Sequence, residues 1–296
     1  MSAQIISGKD ISADIRGELK DEVSRLTTET GVTPGLATVL VGADPASQMY
    51  VGMKNKAAGA MGINSQQITL DADTSQDELM GVVAGLNADA DVHGILVQLP
   101  LPDHIDEGAI IEAIEPLKDV DGFHPMSVGR LATDSGDFFP PCTPAGVVEM
   151  LMRSGHDPSG KHVVVVGRSN IVGRPLASLL IRKAVGGNAT VTVCHSRTPD
   201  LGAVTRTADI LVVAMGRPEM ITADLVSPGT VVIDVGTNRV DAPGTEKGYR
   251  VCGDVLYDEV AEIAAAISPV PGGVGPMTIT MLLSNTVKSA QLAAAR

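Results

Sequence analysis

A run of four valines, Val163–Val166, stands between His162 and Gly167 and restricts the fold more than any other stretch of the chain. Consecutive β-branched residues without polar alternation are typical of a strand buried on both faces, as in a parallel sheet. A loop and an apolar helical segment, continuing to about Ala184, follow Gly167. Strand, glycine loop and helix in this order indicate a dinucleotide-binding unit, in which backbone N–H groups and a helix N-terminus bind phosphate.

The glycine pattern of this loop departs from the usual G-x-G-x-x-G, because Ser169 occupies the second glycine position and Gly173 comes one residue late. The end of the next predicted strand strengthens the signal. NAD enzymes usually carry an acidic residue there to bind the ribose 2′-hydroxyl, but this chain has Ser196 and Arg197, with Arg168 in the loop. Hydroxyl and cationic donors suit a 2′-phosphate and indicate NADP, unless Arg197 is simply a solvated surface residue.

Two more strands are predicted at 209–214 and 231–235, ending near Gly216 and at Gly236-Thr237. Small residues at strand ends allow a flat cofactor to lie close to the backbone. Residues 241–250 are expected to form an exposed polar loop.

The composition favours helices packed on parallel sheets. Apolar residues make up 44% of the 296 residues and aromatic residues only 2%, so the core must be aliphatic. This length suggests two domains, and a helix beginning at Thr143-Pro144 marks the boundary between them. We therefore predict an α/β fold with two domains, of which the second is a Rossmann-type parallel sheet.

One helix of the first half carries candidate proton-transfer groups. Asp44-Pro45 begins it, because Asp44 can cap free backbone N–H groups and proline needs no donor at that position; the helix is predicted to end at Gly62. Tyr50 and Lys54 are four residues apart and share one face. The helix follows the predicted strand 36–41, so it begins where open α/β sheets bind their ligands.

Two further polar groups are predicted at the same edge. Gln98 directly follows the predicted strand 94–97, and Asp121 lies in the polar loop 118–125. Each candidate also has a simpler interpretation: Lys54 as a solvated surface lysine, Gln98 as a loop amide bonded to backbone, and one of the loop carboxylates as the acceptor of an Asx-turn to Gly122. Four polar side chains on one edge of one sheet favour a site.

Charge and cysteine spacing exclude several classes of function. The net charge of −13 argues against a nucleic-acid partner and requires that an anionic ligand be held by local donors. Cys142, Cys194 and Cys252 lie far apart without metal-binding spacing, which indicates reduced cysteines in a cytoplasmic protein that holds no metal. No apolar run reaches membrane length, and the first residues lack an apolar leader.

The segment from Pro269 to Thr278 is rich in glycine and proline and is predicted to be irregular. Such a loop holds backbone close to a ligand, or it is a linker between domains. An apolar helix from Ile279 to about Ala294 follows, with Pro276 placed to begin it.

Five motifs in order resemble those of the bifunctional methylenetetrahydrofolate dehydrogenase/cyclohydrolase family, of the bacterial FolD type. They are Tyr50-x-x-x-Lys54-x-Lys56, Asn87-x-Asp89 followed by Ile95–Leu101, Lys118–Gly122, Gly167–Pro175 and Pro271–Thr278. The resemblance covers essentially the whole chain, and five motifs in order are far more specific than one. Two places depart from the family pattern: Thr237 stands where isoleucine is common, and Gly186-Gly187 lengthen a helix-to-strand turn.

The resemblance implies an enzyme that oxidises 5,10-methylenetetrahydrofolate with NADP and then hydrolyses the methenyl product to 10-formyltetrahydrofolate, in one-carbon metabolism and purine biosynthesis. It implies a catalytic domain over residues 1–142, completed by 270–296 through a C-terminal helix that returns to it, and an NADP domain over 143–269. It also implies a cytoplasmic homodimer joined through the nucleotide domains, with no nucleic-acid or membrane partner.

The family's site residues carry over position by position. Lys54 is implied as the central catalytic residue, with Tyr50 beside it, Gln98 tuning it and Asp121 anchoring the pterin ring. The implied substrate-binding residues are Tyr50, Gln98, Pro100, Asp121, Pro271, Gly272 and Gly273. The implied NADP-binding residues are Gly167, Arg168, Ser169, Ser196, Arg197 and Thr237.

Two other functions stay open on the sequence. One is a monofunctional member of the same family, either dehydrogenase or cyclohydrolase; the presence of both Lys54 and the nucleotide loop favours two activities. The other is a dinucleotide-sensing regulatory protein without turnover, against which the polar set of the first half argues.

Overall fold

The computed structural model describes residues 3–245 and 248–296, and at Ala46 it describes the backbone only. The chain divides into two compact units. One comprises residues 14–142 and 279–296, and the other comprises residues 143–278 with the N-terminal residues up to Ala13. None of the helices within the described ranges is long and apolar enough to cross a membrane.

Strands and helices alternate along most of the chain. The strands are β1 (Gln4–Ile5), β2 (Gly35–Val41), β3 (Asn64–Leu70), β4 (Gly94–Val97), β5 (His162–Val166), β6 (Thr190–Cys194), β7 (Ile210–Val213), β8 (Val231–Asp234), β9 (Asn238–Asp241), β10 (Tyr249–Cys252) and β11 (Ala266–Ile267). The helices are α1 (Gly8–Thr30), α2 (Pro45–Ala60), α3 (Gln76–Ala88), α4 (Glu107–Ala113), α5 (Pro125–Thr133), α6 (Cys142–Arg153), α7 (Gly173–Ile181), α8 (Leu201–Thr205), α9 (Tyr257–Ala261) and α10 (Val274–Ala294), with a 3-10 turn at Ala223–Leu225.

The first unit is built on a three-stranded parallel sheet in the order β3-β2-β4. Val39 of the central strand aligns with Ile68 and Val97 of its neighbours. Every residue of β2 is buried, as its sequence, apolar except for Thr38, predicts, whereas the edge strand β3 is largely exposed and polar. Because the strands are parallel, their carboxyl ends meet at one edge, from which α2 and the residues after β4 continue.

The second unit is built on a six-stranded parallel sheet in the order β1-β11-β8-β7-β5-β6. The valine run forms β5 near its centre, and Val163–Val166 are all buried. The last residues of four neighbouring strands, Cys194, Val166, Val213 and Asp234, are aligned in register. The predicted Rossmann-type parallel sheet is confirmed.

Local sequence signals explain where two helices of the first unit begin. The Asp44 carboxylate accepts the Ser47 N–H at 2.7 Å, which confirms the predicted cap of α2. Ser75 and Glu78 form a reciprocal capping box at the start of α3. These caps fix the direction in which each helix leaves the edge of the sheet.

The C-terminal helix packs within the first unit, as predicted. The Asn285 amide in α10 donates to the Val120 carbonyl at 2.8 Å. The Ser289 hydroxyl donates to the carbonyls of His93 and Leu117 at 2.6 and 2.7 Å. Two buried polar side chains thus join this largely apolar helix to the segments before and after β4.

Several short elements were not predicted. The strands β1 and β11, the helices α5, α8 and α9, and the antiparallel hairpin of β9 and β10 have no clear local pattern. The hairpin takes up both ends of the predicted loop 241–250, of which residues 246–247 lie outside the described residues.

Some predicted boundaries were wrong. Helix α6 begins at Cys142, so Thr143 lies inside it, and the Thr143 hydroxyl bonds to that of Thr278 at 2.9 Å. Helix α7 ends at Ile181 rather than near Ala184. Helix α10 begins at Val274, so the irregular stretch is shorter than predicted; Pro276 lies in its first turn, where a missing N–H costs nothing.

Two glycine substitutions test this packing. Gly17 is exposed in the middle of α1 with no atom within 4 Å of an added Cβ, so Gly17→Ala should stabilise the protein by about 0.5–1 kcal/mol. At Gly94 an added Cβ would lie 2.9 Å from both Val120 methyl carbons, so Gly94→Ala should destabilise it by about 1–3 kcal/mol. Urea unfolding measures both, and effects of equal sign would contradict the packing described.

Candidate active site

The Lys54 ammonium group lies at the carboxyl edge of the first unit's sheet. Lys54 occupies the third turn of α2, is partly buried, and donates to the Gln98 side-chain oxygen at 3.0 Å. Gln98 directly follows β4. The structure therefore brings together two of the predicted catalytic residues and excludes the alternative of a freely solvated Lys54.

Gln98 is itself held rigidly. Its backbone N–H donates to the Val39 carbonyl at 2.8 Å, which extends the pairing of β4 with β2 by one residue. Its side-chain N–H donates to the Leu99 carbonyl at 2.7 Å. Because the amide nitrogen is engaged there, the amide oxygen is left to face Lys54. The predicted backbone bond of Gln98 thus exists, and it orients the group that contacts Lys54.

A buried carboxylate shapes the loop that carries Asp121. Asp119 is 2% exposed and accepts the backbone N–H groups of Gly122 at 3.2 Å and His124 at 2.7 Å. Burial raises the pKa of Asp119 to about 6. The hydrogen bond from the His124 N–H acts to lower this pKa, and the negative charge of Asp121 acts to raise it. The side-chain bond to the Gly122 N–H that the sequence left open is therefore made by Asp119, three residues before it rather than two as in an Asx-turn, and Asp121 does not make it.

Asp121 lies beside Lys54 in a partly buried position. Burial raises the pKa of the Asp121 carboxyl, while the Lys54 charge and a hydrogen bond with the Cys142 thiol act to lower it. Burial and the adjacent carboxylate raise the pKa of the Cys142 thiol well above its usual value. An ammonium group, an amide oxygen and a carboxylate therefore converge at one edge, with a neutral thiol behind them.

The other predicted residues of this edge are more exposed. Tyr50 lies one turn before Lys54 on α2 and is 42% exposed. Pro100 is exposed two residues after Gln98, in a segment whose Leu99–Pro100 peptide bond is cis. His124, for which no ligand role was predicted, accepts the Met126 N–H and caps α5. Tyr50 and Pro100 are thus both accessible to a ligand that binds at the carboxyl edge of the sheet, next to Lys54.

The loop after β5 has the close backbone packing that a dinucleotide site requires. Gly167 has φ +133°, and a Cβ there would overlap the Ala214 carbonyl. A Cβ on Gly173, the first residue of α7, would overlap the Gly167 carbonyl. Two glycines thus let strand, loop and helix meet without side chains between them. This geometry and the donors around it suit a nicotinamide dinucleotide.

The remaining predicted cofactor residues lie exposed beyond the same sheet edge. Arg168 and Ser169 follow β5, Ser196 and Arg197 follow β6, and Thr237 follows β8. The Ser169 hydroxyl accepts the Val172 N–H at 3.1 Å and tightens the loop. Exposed hydroxyls and guanidinium groups at one edge provide the donors that an anionic cofactor needs.

The predicted loop Pro271–Gly273 lies within the second unit. Its Val270–Pro271 peptide bond is cis, and Gly272 has φ +105°. The Gly272 carbonyl accepts the Lys9 N–H at 2.9 Å, and a Cβ on Gly8 would overlap Gly273. The start of α1 therefore supports this loop.

Sequence reasoning missed four residues that organise these edges. Cys142 and Asp119 support Asp121, and Asp234 and Asp254 accept backbone N–H groups after β7 and β8. Of these four, only Asp119 carried a signal, since one of the two aspartates of the 118–122 motif was expected to make a turn. Within residues 3–245 and 248–296, no His, Cys, Asp or Glu cluster has the arrangement of a metal site, and Cys142, Cys194 and Cys252 are buried and free.

Comparison with known families identifies the chain. The catalytic-domain model of tetrahydrofolate dehydrogenase/cyclohydrolase matches residues 6–121, and the NAD(P)-binding-domain model of the same family matches residues 141–294. The chain belongs to the tetrahydrofolate dehydrogenase/cyclohydrolase family. This finding confirms the predicted family, its enzyme class and a nicotinamide dinucleotide as cofactor.

Relatives in this family are similar over nearly their full length. The bifunctional protein FolD of Syntrophus aciditrophicus is 55% identical over 99% of both chains. The bifunctional FolD crystal structure from Campylobacter jejuni is 47% identical, with a TM-score of 0.92 over 98% of this chain and 99% of that one. The Trypanosoma brucei dehydrogenase-cyclohydrolase, solved with NADP and an inhibitor, is 41% identical, with a TM-score of 0.93 over both full chains. They confirm the two-domain α/β fold and the bifunctional interpretation.

The raised pKa of Asp119 makes stability depend on pH in a defined direction. An unfolded aspartate loses its proton near pH 4, whereas the folded Asp119 keeps it to about pH 6. Its contribution to the free energy of unfolding is therefore full below about pH 4 and is lost as the pH rises through about 6, by roughly 2–3 kcal/mol. Urea unfolding of wild type and Asp119→Asn at several pH values measures this, and a pH-independent difference would contradict it.

Proposed function

We propose that this enzyme oxidises 5,10-methylenetetrahydrofolate to the 5,10-methenyl compound with NADP and hydrolyses that product to 10-formyltetrahydrofolate. The observation that carries the proposal is the Lys54 ammonium group, bonded to the fixed Gln98 oxygen beside Asp121. Binding of a dinucleotide by the second unit would not by itself require an ammonium group held in this way in the first unit. A proton-transferring site and a nucleotide loop together support two consecutive reactions.

In the first reaction, bound NADP supplies the hydride acceptor. The chain needs no nucleophile for this step, since its contribution is to orient two rings and exclude water. For NADP we propose contacts from the exposed donors described above: Gly167, Arg168, Ser169, Ser196, Arg197 and Thr237. Residues 195–198, directly after β6, include no acidic residue; this and the NADP bound to the Trypanosoma brucei relative support NADP over NAD.

In the second reaction, water attacks the cationic methenyl carbon and the ring opens. This step needs a group that takes up and returns a proton. We assign it to Lys54, because its side-chain nitrogen is partly buried and lies beside Asp121 at the edge proposed to bind the substrate. Gln98 holds the Lys54 nitrogen in one position, because its own amide is fixed by the Leu99 carbonyl.

Asp121 is proposed to bind the pterin ring. The pterin edge presents adjacent N–H donors, which match the two oxygens of a carboxylate. The partly buried position strengthens such hydrogen bonds, and the nearby Lys54 charge favours the ionised acceptor. The Cys142 thiol hydrogen-bonds this carboxylate, and Asp119 fixes the loop that carries it by accepting the Gly122 N–H.

The remaining assignments are proposals of the same kind. Tyr50 and Pro100 would line the substrate site, with Tyr50 also assisting Lys54, and Pro271, Gly272 and Gly273 would contribute backbone to it. We propose a folate domain of residues 1–142 completed by 270–296 and a dinucleotide domain of residues 143–269. The compact units support this division, although they group residues up to Ala13 and 270–278 with the dinucleotide sheet. We further propose a cytoplasmic homodimer that serves purine biosynthesis.

Replacing Lys54 tests the proton-transfer role. Lys54→Met should lower the cyclohydrolase rate by about 10²-fold or more, because the proton acceptor is lost, while the fold and NADP binding remain. Hydrolysis of methenyltetrahydrofolate is followed by absorbance. Lys20→Met is the control, since Lys20 is an exposed lysine of α1 that lies outside the five motifs. Hydrolysis at the wild-type rate by Lys54→Met would refute the assignment.

Replacing Asp121 tests pterin binding. Asp121→Asn should weaken tetrahydrofolate binding by about 10- to 100-fold, because charge-assisted hydrogen bonds are lost. Isothermal titration calorimetry measures the Kd. Asp91→Asn, at the exposed amino end of β4, should leave it unchanged. An unaltered Kd in Asp121→Asn would show that the pterin binds elsewhere.

A further inference from the structure

One buried carboxylate holds the residues that follow β7. An oxygen of Asp254 accepts the backbone N–H groups of Met215 at 2.6 Å and Gly216 at 2.9 Å. The other oxygen accepts the Arg217 N–H at 2.8 Å and the Asn238 side-chain amide at 2.8 Å. Asp254 is fully buried. Because a carboxylate has about four acceptor positions, these four donors saturate it.

A second carboxylate fixes the first. Asp234, the last residue of β8, accepts the N–H groups of Gly236 and Asp254 at 2.9 and 3.0 Å through one oxygen, and that of Val255 at 2.9 Å through the other. A Cβ on Gly253 would overlap the Asp234 carboxylate. The position of Asp254 is therefore set by the end of β8, and Asp254 in turn sets the segment after β7.

These residues lie beside the proposed cofactor loop. Val166, Val213 and Asp234 are aligned in register at the ends of β5, β7 and β8. The segment 215–217 therefore leaves the same edge of the sheet as the Gly167 loop, one strand away. Its three N–H groups are taken by Asp254. Its backbone therefore offers a ligand carbonyl oxygens rather than N–H donors, and the exposed Arg217 guanidinium is the only side-chain donor of this segment.

We propose that Asp254 is a positioning residue for the nicotinamide half of the dinucleotide, an inference that rests on the proposed NADP function. Phosphate groups require donors, which the loop after β5 and the residues after β6 provide. The uncharged carboxamide and the ring suit a surface of carbonyl and apolar groups. Asp254 acts through residues 215–217 and through Asn238, which directly follows Thr237, because its own carboxylate is enclosed by protein donors.

The test compares dinucleotide binding with a reaction that needs no dinucleotide. Asp254→Asn keeps the size of the side chain but turns one acceptor into a donor that faces other donors. NADP binding, measured by isothermal titration calorimetry, should weaken by about tenfold or more, with a parallel rise in the KM for NADP. Hydrolysis of methenyltetrahydrofolate should keep its kcat/KM within about twofold of wild type.

Two further variants control for a purely structural effect. Asp209→Asn removes an exposed carboxylate that accepts the His162 N–H at 2.8 Å at the opposite edge of the same sheet, and it should leave the NADP Kd unchanged. Asn238→Ala removes one of the four donors without adding a new one, and it should weaken NADP binding in the same direction as Asp254→Asn. This second variant tests the proposal even where Asp254→Asn does not fold.

Wild-type NADP affinity in both Asp254→Asn and Asn238→Ala would overturn the positioning role. Loss of cyclohydrolase activity in proportion to NADP affinity would also overturn it, because the effect would then be one of general stability. Failure of the wild-type enzyme to bind NADP would instead overturn the proposed function itself, so the two failures are distinguishable.

Discussion

The hydrogen bond from the Lys54 ammonium group to the Gln98 side-chain oxygen is the contact on which the rest of the site depends. It exists because the parallel pairing of β4 with β2 continues through the Gln98 N–H to the Val39 carbonyl. The sheet thus fixes the amide, and the amide fixes the lysine. The bond places the Lys54 charge beside Asp121.

Both sheets of the molecule use buried aspartates to shape the segments at their carboxyl ends. In the first unit Asp119 accepts hydrogen bonds from the N–H groups of Gly122 and His124, and Asp121 lies next to Lys54. In the second unit Asp254 accepts hydrogen bonds from the N–H groups of residues 215–217. A buried carboxylate is costly unless its oxygens are filled with donors. These loops therefore have little conformational freedom, which suits residues that must hold a ligand in one orientation.

Much of the architecture could be predicted because its signals are local. The valine run of β5, the Asp44 cap of α2 and the spacing of Tyr50 and Lys54 each lie within a few residues. The short strand β1 could not be predicted, because it is two residues long and exists only by pairing with β11, far along the chain. The role of Asp254 could not be predicted either, since three of its four partners are backbone N–H groups about 40 positions away, which carry no side-chain pattern. The pairing of Lys54 with Gln98 could be anticipated only because both follow strands of one sheet.

Progress curves of the wild-type enzyme with 5,10-methylenetetrahydrofolate test the central claim most directly. NADP and NAD are compared, and the reduced dinucleotide and the methenyl compound are followed separately in each reaction. We predict rapid NADPH formation, conversion of the methenyl compound to 10-formyltetrahydrofolate by the same enzyme, and slower reduction of NAD. NADPH formation with a methenyl product that decays only at its uncatalysed rate would contradict the account, because Lys54, Gln98 and Asp121 would then have no hydrolytic role.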